Sequence, residues 1–166
     1  MLQKSDKSLR SLLLQPGATV VASGGQEPEE QQVAAVSDRQ LIETALAART
    51  NAYGRYSGYL VGCALVDEHG RIHIGCNVEN ETYPEGTCAE AGAIAAMAVT
   101  GGRRIRSIAV AGGYDAIKTC TPCGGCRQKI AEFADDETRI LLIDASGDWS
   151  EHRIADLLPE SFRLPD

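Results

Sequence analysis

The chain has 166 residues, 43% of them hydrophobic and 23% charged, the balance of one globular domain with an ordinary core. Its 16 basic and 23 acidic side chains leave a formal net charge of -7. That disfavours a protein that grips nucleic acid, because such binding rests on Lys and Arg neutralising phosphates. No apolar run approaches the roughly 20 residues of a membrane span. The apolar stretch at residues 12–14 is too short for the core of a signal peptide. The expectation is a cytoplasmic protein with no nucleic-acid and no membrane partner.

Residues 1–36 differ from the rest. They hold Pro16, Gly17, Gly24 and Gly25, then a run from Gln26 to Gln32 of Gln, Glu and one Pro. Such a composition buries little apolar surface, so a flexible or loosely docked N-terminal extension is expected there. The domain proper is expected over residues 37–166. Ser37 and Gln40 have the form of a capping box, in which a hydroxyl and a side-chain amide satisfy free backbone N–H groups. Leu41, Ile42, Ala45, Leu46 and Ala48 then mark one face of a helix. Past Asn51 the pattern dissolves into a turn-rich loop over residues 53–58.

Two strands are expected next, over residues 59–66 and 71–78, joined as a hairpin by Glu68, His69 and Gly70. A polar loop leads to a helix over residues 88–99. It is small and apolar on nearly every side, and such a helix belongs in the interior. Gly101 and Gly102 end it. A strand over 105–111 follows, then a loop of Gly, Thr, Cys and Pro. After that come a helix over 123–134, a strand over 139–143 and a short helix over 150–157. This order suggests a mixed sheet covered by helices, with an antiparallel pair at one edge.

Two clusters carry the chemistry. Cys88-Ala89-Glu90 opens the apolar helix, and Pro122-Cys123-Gly124-Gly125-Cys126 opens the next one. A helix N-terminus favours a thiolate through its dipole and free N–H groups. Cys123 and Cys126 have the spacing that brings two sulfurs to one tetrahedral centre, and Cys88 would be a third donor. Three protein donors leave a fourth position for water, whose pKa zinc lowers to about 7. Glu90, two residues past Cys88, is placed to move protons beside that water. Other uses of the same thiols compete. Cys120 extends the run to C-x-x-C-x-x-C, so Cys88 with these three would also make a four-thiolate structural zinc site or an iron–sulfur site. Cys123 and Cys126 alone would make a redox pair. All of these leave Glu90 without a role. Cys63 and Cys76 read as small core residues, and Cys120 as a loop thiol.

These residues resemble the small zinc-dependent cytidine deaminases of the three-cysteine type. The match extends to Asn51-Ala52-Tyr53, Tyr56-Ser57-Gly58, Val61-Gly62 and Gly75-Cys76-Asn77-Val78-Glu79-Asn80. It continues through both cysteine clusters, Arg127-Gln128, Glu132-Phe133 and Leu157-Leu158-Pro159, covering about residues 38–162. The resemblance implies a three-layer α/β/α fold around a mixed five-stranded sheet. It implies Zn2+ held by Cys88, Cys123 and Cys126, with Glu90 as general acid and base. Asn77 and Glu79 would hold the ribose, and Tyr59 would line the base pocket. Phe162 would reach a neighbouring subunit's site in a homotetramer. The implied reaction is hydrolysis of cytidine or deoxycytidine to the uridine product and ammonia by a zinc-bound hydroxide.

The sequence departs from the family at Ala91, where most three-cysteine members have an Arg that offsets thiolate charge. Arg127 and the two helix N-termini are candidates to replace it. Glu81 and Glu85 are also unusual. They fit either a solvated surface or a substrate with an extra cationic group. Two other readings follow: a deaminase of a modified aminopyrimidine nucleoside, as in the blasticidin S deaminases, or a zinc-stabilised nucleoside-binding protein without turnover. The intact Asn-Val-Glu-Asn segment favours a plain ribonucleoside.

Overall fold

The computed structural model describes residues 35–164. The extension expected over residues 1–36 therefore lies outside the described residues, apart from Ala35 and Val36. Helix α1 (Asp38–Arg49) starts where the capping pattern placed it. The Ser37 hydroxyl accepts from the Gln40 N–H at 3.2 Å, one half of the expected box.

Strands β1 (Leu60–Asp67) and β2 (Ile72–Cys76) form the antiparallel hairpin. A short 3-10 turn, Tyr83–Glu85, precedes α2 (Ala89–Val99), which starts directly after Cys88. Strand β3 (Ile105–Gly113) runs two residues further than the apolar pattern indicated. A two-residue strand β4 (Ile117–Lys118), α3 (Gly124–Phe133), β5 (Arg139–Ile143), β6 (Trp149–His152) and a four-residue helix α4 (Ile154–Leu157) complete the order.

The sheet order is β2-β1-β3-β5-β6, with β4 paired to the end of β3. Among the described strands only β3 and β5 run parallel, joined through α3 as a crossover; the other pairs are antiparallel. Among the described residues the sheet thus has six strands where the resemblance implied five. The helix expected over residues 150–157 is also corrected. Its first part is β6, and only Ile154–Leu157 is helical. The reason lies at the edge of β5, which offers an unpaired row of backbone groups. Gly147, with φ 86°, turns the chain back, and Trp149 to His152 fill that edge in antiparallel register.

Alternation along the strands makes the three layers. On one face Ala64, Val66, Ala109, Ala111, Leu141 and Ile143 pack against Leu41, Ile42 and Ala45 of α1. On the other, Cys63, Leu65, Ile108, Val110, Ile140 and Leu142 meet α2 and α3 through Ala89, Ala93, Met97 and Ile130. Every one of these is buried, and each large one contributes roughly 1.5–3 kcal/mol by leaving water. Two glycines let the helices lie directly on the strands. A Cβ at Gly62 would sit 2.2 Å from the Ala45 carbonyl oxygen in α1. One at Gly75 would sit 2.3 Å from the Ala89 carbonyl oxygen in α2. The second contact seats the first turn of α2 on the end of β2. The start of β1, the ends of β2 and β3, and the N-termini of α2 and α3 consequently meet at one end of the sheet. Among the described residues no helix is long and apolar enough to cross a membrane.

Candidate active site

Cys88 is the N-cap residue of α2 and Cys123 that of α3; both are extended, just outside the helical turns. Cys126 lies in the first turn of α3 and is buried. The three sulfurs all lie within 4.8 Å of one another, and the Cys88 and Cys123 sulfurs are 3.9 Å apart. Donors at about 2.3 Å around a tetrahedral centre stand about 3.8 Å from each other. The cluster therefore fits a zinc ion in both chemistry and spacing. Cys120 is outside this group, so among the described residues the geometry does not assemble the four-thiolate alternative.

The thiols share protons in a way a cation would replace. Burial pushes Cys88 up, with the Cys126 thiol acting against it. Burial, then the charges of Glu90 and Cys88, push Cys126 up strongly. Cys123 goes the other way: burial opposes ionisation, but the Cys126 N–H and the thiols of Cys126 and Cys88 outweigh it. One thiolate is thus stabilised by its neighbours' protons. A divalent cation takes the place of those protons and allows all three to ionise.

Glu90, in the first turn of α2, is buried, and its Oε2 accepts from the Cys126 thiol at 3.3 Å. It faces a cavity of about 360 Å³ whose lining includes Tyr59, Asn77, Cys88, Glu90, Cys120 and Cys123. A second cavity of about 450 Å³ shares Asn77 and Cys88 with the first and adds Ser57, Glu79 and Tyr83. The two cavities adjoin at Asn77 and Cys88, the smaller one beside the thiols.

The other expected site residues are placed as follows. Asn77 is spent partly on its own sheet: its Oδ1 accepts from the Val61 N–H at 2.7 Å, and its Nδ2 donates to the Tyr59 carbonyl at 2.9 Å. One amide hydrogen and one lone pair remain for a ligand. The Glu79 carboxylate accepts from the Tyr56 N–H at 2.7 Å, the Ser57 N–H at 3.1 Å and the Ser57 hydroxyl. The Ser57 hydroxyl and then the Tyr56 N–H hold this carboxyl below its ordinary range, so it stays ionised. Tyr59 directly precedes β1, half-buried. Burial, with Cys120 beside it, pushes its phenol up to about 12. Phe162 is not brought to either cavity of its own chain; it is 70% exposed, and its backbone is held to the Gln128 side chain by bonds of 2.9 and 3.1 Å.

Several lesser expectations change. Arg127 does not reach the thiols. Its Nε donates to the Pro122 carbonyl at 2.8 Å and its guanidinium to the Leu157 carbonyl at 2.7 Å, which fixes the loop entering Cys123. Glu81 and Glu85 are exposed and line neither cavity. Cys63 is a core residue, whereas Cys76 is half-buried on the edge strand β2, with its thiol 3.5 Å from the Asn51 carbonyl. Sequence reasoning missed Ser57 as the residue that orients Glu79, and Cys120 as part of the cavity wall. The first is a side chain far from Glu79 in sequence. The second had no signal beyond its closeness to Cys123.

A mixed sheet between helical layers, with three thiols at two helix starts and a buried carboxylate beside them, defines a thiolate metal-site protein of hydrolytic type. The chain belongs to the family marked by the cytidine and deoxycytidylate deaminase zinc-binding region, whose model matches residues 35–142. It is 39% identical over 127 residues to a cytidine deaminase of Sporosarcina psychrophila, covering 76% of this chain and 92% of that one. It is 39% identical over 122 residues to a cytidine deaminase of Mycobacterium tuberculosis, covering 74% and 86%. The crystal structure of a cytidine deaminase from Burkholderia pseudomallei matches with a TM-score of 0.70 and 38% identity, covering 76% of this chain and 99% of that one.

Proposed function

We propose that this protein is a zinc-dependent hydrolase that converts cytidine or deoxycytidine, with water, to uridine or deoxyuridine and ammonia. The observation that carries this reading is the buried Glu90 carboxylate, 3.3 Å from a sulfur of the three-thiol cluster and open to the smaller cavity. Relatives named as cytidine deaminases over three quarters of the chain support it.

In this reading Cys88, Cys123 and Cys126 hold zinc. Bound zinc supplies Lewis acidity and makes a water nucleophilic at neutral pH. The residues of the chain do the rest. Glu90 takes the proton from the attacking water and passes it to the ring nitrogen beside the amine-bearing carbon; it then takes the remaining proton from the hydroxyl added to that carbon and delivers it to the departing amine, leaving the carbonyl and ammonia. Asn77, which lines both cavities, and Glu79, in the second, bind the sugar hydroxyls, Asn77 through its remaining amide hydrogen and Glu79 through its remaining lone pairs. A site built that way binds a hydroxyl that cytidine and deoxycytidine share and rejects analogues lacking it, because its polar groups would be left unpaired. Tyr59 presents its ring to the base. The exposed Phe162 and its fixed backbone support a role in the site of an adjacent copy, within a homotetramer. Residues 37–166 form the deaminase domain, preceded by an extension over residues 1–36. The setting is cytoplasmic, and pyrimidine salvage is the role such a reaction serves.

The test joins zinc content to the loss of cytidine absorbance on incubation. Bound zinc and a stoichiometric release of ammonia are expected. Glu90→Gln should keep the zinc and lower kcat by roughly 10²–10⁴. A wild type that binds nucleoside but releases no ammonia, with Glu90→Gln binding it equally well, would leave a binding protein in place of an enzyme.

A further inference from the structure

Cys120 is the one thiol of the C-x-x-C-x-x-C run that lies outside the sulfur cluster, yet it faces the same cavity as Glu90. Its position is built into the sheet. The loop after β4 carries it across Gly112 of β3. A Cβ at Gly112 would sit 2.5 Å from both Cβ and Sγ of Cys120, and 3.3 Å from Cε1 of Tyr59. The missing side chain is what lets Cys120 and Tyr59 settle together on the end of β3.

Tyr59 has little freedom to move away. Its ring meets Tyr114 edge-on, with centroids 5.0 Å apart and planes at 89°. Its N–H donates to the Ser57 hydroxyl at 2.9 Å, and its carbonyl accepts from Asn77. The same two partners, Ser57 and Asn77, hold or form the sugar-binding part of the cleft. Cys120 packs against the core beneath. A ring substituent pressing on this wall therefore meets two side chains that cannot yield without disturbing the rest of the cleft.

We propose that Cys120 is a specificity-determining residue: with Tyr59 it forms the wall that limits substituents on the C5–C6 edge of the pyrimidine ring. This rests on the deamination reading. In that reaction N1 of the ring carries the sugar, C2 its carbonyl oxygen, N3 receives the proton of Glu90, and C4 is attacked. The edge left to meet the wall is C5–C6. Of the lining, the thiols and Glu90 occupy the reacting side and Asn77 the sugar side; Val61, Ala89, Thr119 and Thr121 line it too, and the Tyr59–Cys120 pair, seated together on Gly112, is the part assigned to that edge. A well-packed wall discriminates a single added carbon by roughly 10–200-fold.

The test compares kcat/KM for 5-methylcytidine and for cytidine, using the full zinc-loaded chain, Cys120→Ala and Gly112→Ala. Zinc content is measured for each. Cys120→Ala removes the sulfur and widens the wall, so the ratio of 5-methylcytidine to cytidine should rise roughly tenfold. Gly112→Ala displaces Cys120 towards the cavity, so the ratio should fall by a similar factor. A general loss of packing would lower both substrates together and leave the ratio alone. Ratios within twofold of wild type, or moving in the same direction in both variants, overturn the proposal. If Gly112→Ala yields no folded protein, the Cys120→Ala ratio decides by itself. A wild type inactive on cytidine removes the deamination reading; an active wild type with unmoved ratios removes only this inference.

Discussion

Helix α2 joins two ends of the molecule that treat charge in opposite ways. At its C-terminal end the polar groups satisfy one another. The fully buried Asp67 accepts from the His69 and Arg71 N–H groups at 2.9 Å each and from Arg71 Nε at 2.7 Å, and it is 2.9 Å from His73 Nε2. Arg71 also donates to the Thr100 carbonyl at 3.0 Å, at the C-cap of the helix. Glu68 accepts from the Arg103 and Arg104 N–H groups at 2.9 and 3.0 Å. At the N-terminal end, three sulfurs have mainly each other, and a buried carboxylate has a thiol as its partner. One end is a closed network that anchors the helix. The other brings three sulfur donors within 4.8 Å of one another beside a buried carboxylate, the pattern expected where a cation and a substrate bind.

The largest expected effect breaks the open end. Cys123→Ala should remove zinc binding, measured as metal per chain after gel filtration, and take ammonia release to background. The fold should persist, because the anchoring network is far away. Loss of the fold together with the metal would mean that the two ends are not separable.

The matching change at the closed end is Asp67→Ala. It leaves His73 and the Arg71 guanidinium without their carboxylate and should cost about 3 kcal/mol in denaturant unfolding, while zinc content stays unchanged. Asp67 also predicts a pH dependence. Burial opposes its ionisation, but hydrogen bonds from His73 and Arg71 outweigh burial and hold its carboxyl below the ordinary 3.8. A carboxyl lowered in the folded state contributes stability that is complete above its unfolded value, near 4, and is lost as pH falls below it. The acid limb of the stability profile should therefore flatten in Asp67→Ala.

Gly75→Ala sharpens the comparison along the helix. The added Cβ would fall 2.3 Å from the Ala89 carbonyl oxygen and 2.5 Å from the Ala93 N, pushing the first turn of α2 off β2. It should cost about 1–3 kcal/mol and also lower activity, since Cys88 and Glu90 ride on that turn. Gly62→Ala, which presses on α1 in the other layer, should cost stability with a smaller effect on activity. The smallest change is Ser37→Ala, which removes the α1 cap and should cost about 1 kcal/mol by thermal melting, without touching the site.

Much of this molecule was legible in its order of residues. Local rules set it: the Ser37 cap, the period of α1, the apolar strands, and the Gly70 turn closing the hairpin. The two cysteine clusters were legible for the same reason, because a ligand pair spaced by one helical turn is written in neighbouring positions. What stayed hidden depends on residues distant in sequence. The conversion of residues 149–152 into a strand was decided by the open edge of β5. The pairing of Ser57 with Glu79, the diversion of Arg127 to two carbonyls, the Asp67 network and the place of Cys120 over Gly112 were decided by packing. The residues alone determined which atoms this protein has for holding a cation and moving a proton. Only the tertiary structure decided that three sulfurs from two helices meet within bonding reach of one ion while the fourth stands in the wall. A sulfur's distance from a partner more than thirty residues away is set by how helices seat on a sheet, and no local spacing encodes that.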